Sequence, residues 1–590
     1  MTTTLPDALM APLVESFGAD RLAQALAALR PAEELLTAEA LGSVKATGLS
    51  FARSLVARMV RERWRIRLRE IEVDASGVGH AVYDIDADGH AMTFAAFSQN
   101  EEVEEKEGRL CDSYFDGIGV LFQGTTPMQR ILAEREQTKF LWAGRTDNSV
   151  LGWTVTNRSD RFFDAAVAAL AVGRQPDAGQ LATGGGYILR NAGFYGNGRM
   201  GCAVWRGLDK DHPLIHPYHQ EMFGLYLWRG FGFDLAEAVA RHRNPNAATL
   251  DAGLKRFLGI GNASGLGMVA IITRWPLWLA TWVLVRELAL AFAVTDPGPV
   301  PGDVVARFRE LLVRARHYYR TVDARPLEHV EPRDKVAANL DQVAAWVDAD
   351  GTNWANVMDR AAAEFDRETV EQVASLLIDC YPARAALIDR LTPIGMNLAF
   401  DVMPEQTVAD LAGMVRRRYA WALDMDLAAA EARRYFWYRS EEHNEQRRGE
   451  RGVDPGEPVE SFVDVAGAAQ ALLADLERAS SDTRVGRFLF DHPAHRYMVA
   501  RVQSTAALPY AEIHTNLIDA EFLPVRIIRF YLTTMGLESA APKNFRWVRG
   551  VLMQGAPLPE ELEAGAGADW TFPVQPDSSD PPASPRRRAS

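Results

Sequence analysis

Two arginines lie in a glycine-rich segment at residues 184–201 that has the composition of an anion-binding loop. Arg190 and Arg199 are nine residues apart, and Tyr195 and Asn197 lie between them. Glycine lets backbone N–H groups approach a ligand closely, and the guanidinium group of arginine can bind both oxygens of a carboxylate or phosphate. The segment has neither the Gly-Lys-Ser/Thr of a Walker A loop nor the context of a dinucleotide fingerprint. It predicts a site for a small anion, and a tight turn with surface arginines is the alternative.

A second glycine cluster covers residues 259–267 and contains Asn262 and Ser264. We predict that it connects two helices and begins the very apolar helix that follows. The free N–H groups of a helix N-terminus, with Asn262 or Ser264 as the cap, would favour an anion. Close packing between helices is the competing interpretation, because glycine also allows two backbones to approach each other.

Three histidines and a glutamate lie close together around the start of the helix predicted at residues 219–241: His212, His216, His219 and Glu221. Imidazole and carboxylate groups bind divalent metals, so a metal-dependent enzyme could be centred here. The prolines after His212 and His216 force extended backbone at both histidines, which opposes a shared site. Neutral histidines in a loop that caps the next helix are the favoured interpretation. No cofactor is assigned, and a divalent metal stays as an alternative that is not favoured.

Aromatic residues lie beside acids, bases and a histidine at residues 435–448, where we predict the end of a long helix. Glu441 and His443 are candidates for general acid/base catalysis there, because an apolar wall or a neighbouring arginine shifts a pKa. A charged helix end that continues into a loop explains the same residues equally well. Histidines also lie beside carboxylates at residues 491–496 and 510–516, where pairing at the edge of the core is the expected role.

Three motifs of this sequence together resemble a family of large bacterial proteins. They are Arg190-Asn-Ala-Gly-Phe-Tyr-Gly-Asn-Gly-Arg199, Gly259-Ile-Gly-Asn-Ala-Ser-Gly-Leu-Gly-Met268 and Tyr438-Arg-Ser-Glu-Glu442. The similarity extends over most of the chain outside the C-terminal tail. It implies a soluble bacterial protein and carries over no activity and no catalytic residue.

The hydrophobic pattern places these motifs in a mainly helical chain with one small sheet. Short runs rich in β-branched and aromatic residues, with a turn at residues 86–89, predict an antiparallel meander. Apolar residues three and four apart predict helices before and after it. The expected fold class is therefore α+β, predominantly α-helical. The expected regions are an N-terminal helical segment at 1–64, a β-meander at 65–125, a main helical domain at 126–450, a C-terminal helical region at 451–572 and a disordered tail at 573–590.

Three of the predicted helices are long, at residues 268–292, 354–380 and 407–437. The first lies in the most apolar part of the chain, but charged residues interrupt that part at Arg274 and again at Arg286-Glu287. A membrane span needs about twenty apolar residues without such charges. We therefore expect two buried helices here, joined or kinked beside Pro276, and no membrane span.

Composition excludes several classes of function. The 590 residues include 64 Lys+Arg and 78 Asp+Glu, which gives a formal net charge of −14. Such a charge repels nucleic acid and anionic membranes. The three cysteines are far apart and form neither a disulfide framework nor a zinc motif, and the N-terminus lacks the features of a secretory signal. A cytoplasmic protein is expected.

The preferred hypothesis is a cytoplasmic bacterial enzyme of small-molecule metabolism that acts on a small anionic substrate by general acid/base chemistry. Arg190 and Arg199 would bind the anion, and Glu441 or His443 would transfer a proton. His219 is a further candidate catalytic residue. A non-enzymatic helical interaction protein and a metal-dependent enzyme that uses the histidine cluster are the rival hypotheses. The residues expected to share the pocket are Arg190, Tyr195, Asn197, Arg199, His219, Asn262, Ser264, Glu441 and His443.

Overall fold

The computed structural model of the chain is mainly α-helical, with a large antiparallel sheet and two smaller sheets in the part that is described. The expected fold class, α+β with helices in the majority, is confirmed. The structure describes residues 5, 7–99, 117–138, 150–155, 160–177, 181, 186–191, 194–196, 205, 207–265, 276–296, 298–321, 331–347, 353–391, 402–429, 435–439, 446–450, 458–460, 464–506, 508–510, 524–537, 547–573 and 575.

The strands and helices are numbered in chain order. The strands are β1 (Arg65–Val73), β2 (Gly79–Ala87), β3 (His90–Ser98), β4 (Gly117–Gln123), β5 (Val150–Val155), β6 (Tyr187–Asn191), β7 (Phe194–Gly196), β8 (Gly259–Gly265), β9 (Tyr435–Arg439), β10 (Gln446–Glu450), β11 (Pro458–Glu460) and β12 (Trp547–Leu552). The helices are α1 (Asp7–Phe17), α2 (Ala19–Ala27), α3 (Ala32–Leu35), α4 (Ala38–Ser43), α5 (Phe51–Arg61), α6 (Met128–Thr138), α7 (Asp160–Ala171), α8 (Pro217–Arg243), α9 (Ala252–Phe257), α10 (Pro276–Val294), α11 (Gly302–Thr321), α12 (Arg333–Val347), α13 (Trp354–Glu364), α14 (Arg367–Asp379), α15 (Ala386–Leu391), α16 (Val408–Arg418), α17 (Ala420–Leu423), α18 (Asp464–Arg478), α19 (Val485–Asp491), α20 (Arg496–Ala506), α21 (Pro524–Met535) and α22 (Pro559–Ala564).

The largest sheet contains the predicted meander and extends it by two strands. Strands β1 to β5 pair antiparallel in chain order, and β7 pairs with β5 at the far side. The turn between β2 and β3 consists of Asp88 and Gly89, whose φ angles are 53° and 86°. Two residues with positive φ give the turn whose twist matches that of the paired strands, which explains the Asp-Gly sequence.

The long helix α8 covers one face of this sheet. The indole ring of Trp228 on α8 packs edge-on against Phe94 of β3, with the ring centroids 6.3 Å apart. The glycines of β4 make room for this ring, since a Cβ atom on Gly119 would lie 3.0 Å from Trp228 Nε1 and one on Gly117 would overlap the same ring. Two glycines in a buried strand therefore allow close contact between helix and sheet.

The second glycine cluster forms a strand, which corrects the prediction of a loop between helices. Residues Gly259–Gly265 form β8, the central strand of a sheet in which β12 pairs antiparallel on one side and β6 pairs parallel on the other. The apolar helix α10 begins only at Pro276, so the glycines do not form its N-terminus. The first half of the predicted helix at 268–292 falls largely outside the described residues.

Two further predicted helices are shorter than expected. The prediction of one helix at 354–380 is wrong at Phe365-Asp366, where both residues have extended backbone and Asp366 is the N-cap that precedes α14. The helix predicted at 407–437 begins correctly with a capping box between Thr407 and Asp410. It ends at Arg418, and residues 435–439 are a strand that pairs with β10 and β11.

Buried apolar residues form one large cluster and two smaller ones. The large cluster includes residues from Leu5 to Phe572, and a second cluster packs α16 and α17 against α18, α19 and α20. A third lies on the face of the large sheet opposite α8. The region boundaries expected from the sequence stay predictions. In the described part of the chain, no helix combines the length and the apolar character that a bilayer span requires.

Candidate functional site

Two of the predicted ligand-binding segments lie side by side in the sheet of β6, β8 and β12. The parallel strands β6 and β8 pair Arg190 with Gly261 and Asn191 with Asn262, as neighbouring Cα positions. Ser264 follows two residues later on β8, opposite Val548 of β12. The carboxyl ends of the two parallel strands therefore meet, although their sequences are about seventy residues apart.

Glycines on β8 are required by this close pairing. A Cβ atom on Gly261 would lie 2.6 Å from the ring of Tyr187 on β6, and one on Gly259 would overlap the carbonyl oxygen of Leu552 on β12. The competing interpretation of this cluster, close packing between helices, is wrong in its elements. These two glycines do allow close packing, but it occurs between strands and against a tyrosine ring.

A buried arginine fixes the beginning of β8 to α8. The guanidinium group of Arg229 donates to the carbonyl oxygens of Leu258 at 2.7 Å, Lys255 at 2.6 Å and Ala556 at 3.0 Å. The first two of these carbonyls end α9 just before β8, and the third follows β12. Arg229 thus satisfies helix-end carbonyls that would otherwise be buried without donors, and it holds the sheet at a fixed position.

The remaining predicted ligand-binding residues are placed differently. Tyr195 lies on β7, where it pairs with Thr154 of β5 in the large sheet. Only residues 192–193 separate β6 from β7, so this segment links the two sheets. Asn197 and Arg199 fall outside the described residues. Glu441 and His443 also fall outside them, between the paired strands β9 and β10.

The predicted histidine cluster is divided between two environments. His219 is fully buried at the start of α8, with its Nε2 atom 3.1 Å from Oδ1 of Asp389 on α15. The hydroxyl of Tyr218 donates to the same oxygen at 3.1 Å. Burial alone would raise the pKa of Asp389, but His219, His216 and Tyr218 together outweigh burial and lower it to about 2. The ionised carboxylate therefore orients His219 and connects α8 to α15.

His216 precedes α8 and lies against His219, with 5.6 Å between the ring centroids. It has the extended backbone that the following proline predicts. Burial, reinforced by the neighbouring His219, lowers the pKa of His216 to about 4, so the ring is neutral at pH 7. A neutral histidine before the helix agrees with the favoured interpretation, although its side chain makes no capping hydrogen bond.

His212 belongs to the second environment. Its ring lies edge-on to Trp205 and His90, and its Nδ1 atom accepts a hydrogen bond of 3.0 Å from the backbone N–H of Leu214. Burial lowers the pKa of His212 to about 4, and His90 adds to this effect. The metal set predicted as His212, His216, His219 and Glu221 is therefore not assembled around one point by the described side chains.

A closed network of buried charges was missed by sequence reasoning. Arg30 donates to both carboxylate oxygens of Glu287, at 2.6 and 2.7 Å, and to Glu371 at 2.6 Å. Arg286 donates to Glu371 at 2.7 Å and to Glu287 at 3.0 Å. The two positive and two negative charges cancel. Charged residues in the middle of the apolar helix α10 were the available signal, because buried charges require partners.

A second buried charge cluster lies beside the first. Glu368 accepts from Lys45 at 2.6 Å and from two nitrogens of Arg529 at 2.7 and 2.9 Å. Burial alone would raise the pKa of Glu368, but Lys45 and Arg529 lower it to about 2. The carboxylates of both clusters are engaged by cations of the chain, and these contacts connect α10, α14 and α21.

The protein is mainly helical and of the α+β class, and the parallel strands β6 and β8 bring two of the predicted ligand-binding segments together. Comparisons of the chain with models of protein families, with curated proteins and with solved structures found no match.

Proposed function

We propose that the protein is an enzyme that binds a small anionic substrate at the carboxyl ends of β6 and β8. The observation that carries this proposal is the parallel pairing of these strands, which aligns Arg190 with Gly261 and Asn191 with Asn262. In open α/β sheets, ligands bind beyond the carboxyl ends of parallel strands, where the chain leaves the sheet. Here β6 continues into glycine-rich sequence at residues 192–201.

The platform beneath this site is rigid, which favours ligand binding. Arg229 fixes the start of β8, and the contact between Tyr187 and Gly261 fixes its distance from β6. A site held by buried contacts loses little conformational freedom when a ligand binds. The net charge of −14 makes a local arginine site selective for small anions over polyanions.

The roles of the individual residues follow their chemistry. Arg190 and Arg199 would bind the anionic group. Asn262 and Ser264 alternate with Gly261, the register partner of Arg190, and so belong to the other face of β8; they are given no role in binding this anion. Glu441 or His443 would transfer the proton, with Tyr195 and Asn197 near the substrate. His219 is not given a role in proton transfer, because it is fully buried and engaged with Asp389.

Substitution of Arg190 tests the proposal. We expect Arg190→Ala to weaken binding of the anion by about 10- to 100-fold, because a hydrogen bond to a charged group contributes roughly 1.5–3 kcal/mol. Isothermal titration calorimetry with inorganic phosphate, and then with di- and tricarboxylates, would measure the affinity. Ligands would first be found by their effect on thermal unfolding, since binding to the native state alone stabilises it.

Arg67→Ala is the matched control, because Arg67 is an exposed strand arginine that pairs with Glu563. It should bind the anion as the unmodified protein does. Equal affinities in both variants would contradict the anion site at β6 and β8. A chain that binds none of these anions but captures a protein partner would favour the helical interaction protein instead.

A further inference from the structure

Three side chains with metal-binding groups converge in the second hydrophobic cluster, away from the site proposed above. Asp475 lies near the end of α18, His492 follows α19, and His495 lies in the short 3-10 turn Pro493–His495. One ligand atom from each residue lies within 4.8 Å of the other two. Among the described residues, these three form the group of His, Cys, Asp and Glu side chains whose ligand atoms all lie this close together.

The distances fit a single metal ion. Oδ2 of Asp475 lies 2.7 Å from Nε2 of His495 and 3.6 Å from Nδ1 of His492. A tetrahedral ion about 2.0–2.2 Å from each ligand would separate the ligand atoms from one another by roughly 3.3–3.6 Å. The separation of 3.6 Å lies at the upper end of this range, and the separation of 2.7 Å is about 0.6 Å shorter than its lower end. Side-chain rotations that widen the contact between Asp475 and His495 by this amount would seat the ion.

The ligand atoms are already oriented by neighbours. The ring of Phe488 stacks on His492 at 4.6 Å and lies nearly parallel to His495 at 6.1 Å, measured between centroids. Arg478 contacts Oδ1 of Asp475 at 2.5 Å, which leaves Oδ2 directed at the two histidines. Partners that fix the orientation of metal ligands in this way contribute to affinity at known metal sites.

Solvent access separates this cluster from the buried histidines near α8. The side chains of His492, Asp475 and His495 are 37%, 22% and 13% exposed, whereas that of His219 is fully buried. An ion and its coordinated water could therefore enter here. The pair of His80 and Glu70, on β2 and β1, has a similar contact of 3.2 Å but has no third metal-binding side chain at such a distance among the described residues.

We propose that Asp475, His492 and His495 bind a divalent transition metal of the zinc class. Two imidazoles and one carboxylate suit such ions and do not suit Ca²⁺ or Mg²⁺, which prefer oxygen ligands. Three protein ligands leave one tetrahedral position for water or for an anionic group. The ion would tie the end of α18 to the segment between α19 and α20.

Titration of the chelator-treated full chain with Zn²⁺ tests this site. Isothermal titration calorimetry would give the number of sites and the affinity for the unmodified chain and for His492→Ala, His495→Ala and Asp475→Asn. We expect one site to lose at least about 100-fold in affinity in each variant, since even the partners of metal ligands contribute about 10- to 100-fold. His80→Ala is the matched control and should retain that site.

Circular dichroism would verify that each variant is folded, and Asp475→Asn keeps the shape of the side chain if an alanine variant fails to fold. Titration with Co²⁺ supplies a second readout, because its visible spectrum distinguishes tetrahedral from octahedral coordination. Loss of one site in the three ligand variants, with retention in His80→Ala, would support the proposal. Absence of Zn²⁺ binding by the unmodified chain, or affinities unchanged in the ligand variants, would overturn it.

Discussion

Replacement of Glu371 by glutamine should destabilise the protein strongly, because it removes one charge from the closed network in the core. Glu371 accepts hydrogen bonds from Arg30 at 2.6 Å and Arg286 at 2.7 Å. Its side chain and that of Arg286 are each only 1% exposed. With Glu287 as the one remaining carboxylate, the network would hold an uncompensated positive charge, shared between the buried Arg286 and Arg30, whose side chain is 24% exposed.

The expected loss of stability in Glu371→Gln can be worked out from the pKa of the Glu371 carboxyl group. Burial alone would raise the pKa of Glu371, but Arg30 and Arg286 outweigh burial and lower it from 4.5 to about 2. Since one pKa unit corresponds to about 1.4 kcal/mol, the folded protein favours the ionised form by roughly 3 kcal/mol. Removing one partner of a buried ion pair costs about 3–5 kcal/mol in other proteins. We therefore expect Glu371→Gln to lower the free energy of unfolding at pH 7 by about 3 kcal/mol.

The low pKa of Glu371 also determines how the free energy of unfolding depends on pH. Because the folded-state pKa lies below the unfolded value, the stabilisation is complete above about pH 4.5 and is lost as the pH falls toward 2. The glutamine variant lacks this titration. The difference in stability between the unmodified protein and Glu371→Gln should therefore decrease over this range.

Urea unfolding followed by tryptophan fluorescence would measure these free energies. Glu364→Gln is the matched control, since Glu364 forms an exposed pair with Arg360 on the neighbouring helix α13. Exposed pairs of this kind contribute less than about 1 kcal/mol. If Glu371→Gln were no more destabilising than Glu364→Gln, the reasoning about the buried network would be refuted.

Two other substitutions test packing and protonation. Gly261→Ala should destabilise the protein by about 1–3 kcal/mol, because the new Cβ atom would lie 2.6 Å from the ring of Tyr187. The control Gly230→Ala, on α8, places its Cβ atom in open space and should be neutral or slightly stabilising. Thermal unfolding of both variants measures the difference, and equal midpoints would be inconsistent with tight packing at β8. Burial lowers the pKa of His216 to about 4, below the unfolded value of 6.5, so its contribution to stability should be present above pH 6.5 and fall by about 2 kcal/mol between pH 7 and 5. His216→Gln should show a smaller loss of stability over this range in urea unfolding, and an identical loss would rule out the low pKa.

The local sequence was sufficient to predict those strands and helix ends that are determined by contacts within a few residues. The alternating apolar residues and the Asp88-Gly89 turn predict β2 and β3, and the structure has both strands. The start of α16 is equally local, because Thr407 and Asp410 satisfy each other's backbone N–H groups. In both cases the determining contacts are made between near neighbours in the chain.

The strand β8 could not be predicted in this way. Its residues Gly259–Gly265 include only one β-branched side chain, and glycine disfavours strands by its local propensity. Its stability comes from partners about seventy residues before it and about 280 residues after it. The ring of Tyr187 occupies the space that a side chain at Gly261 would take, and no local pattern contains that information.

The candidate site residues show the same difference between what local sequence indicates and what depends on long-range contacts. Sequence composition identified Arg190 and Asn262 as members of unusual segments, and the register of β6 and β8 places the two segments together. It also identified Arg286 and Glu287 as charges in an apolar helix, but only as reasons against a membrane span. Their partner Glu371 is on another helix, so the network depends on tertiary packing that the sequence pattern does not contain.

The position of β12 has a consequence for biosynthesis. Its pairing partner β8 leaves the ribosome about 280 residues earlier, which at roughly 5–20 residues per second is an interval of about 15–60 s. During that time one edge of β8 has its backbone hydrogen-bonding groups open to other chains. A nascent chain arrested before Trp547 would therefore be prone to aggregate, and chaperones that shield strand edges should associate with this intermediate until the final strand is translated.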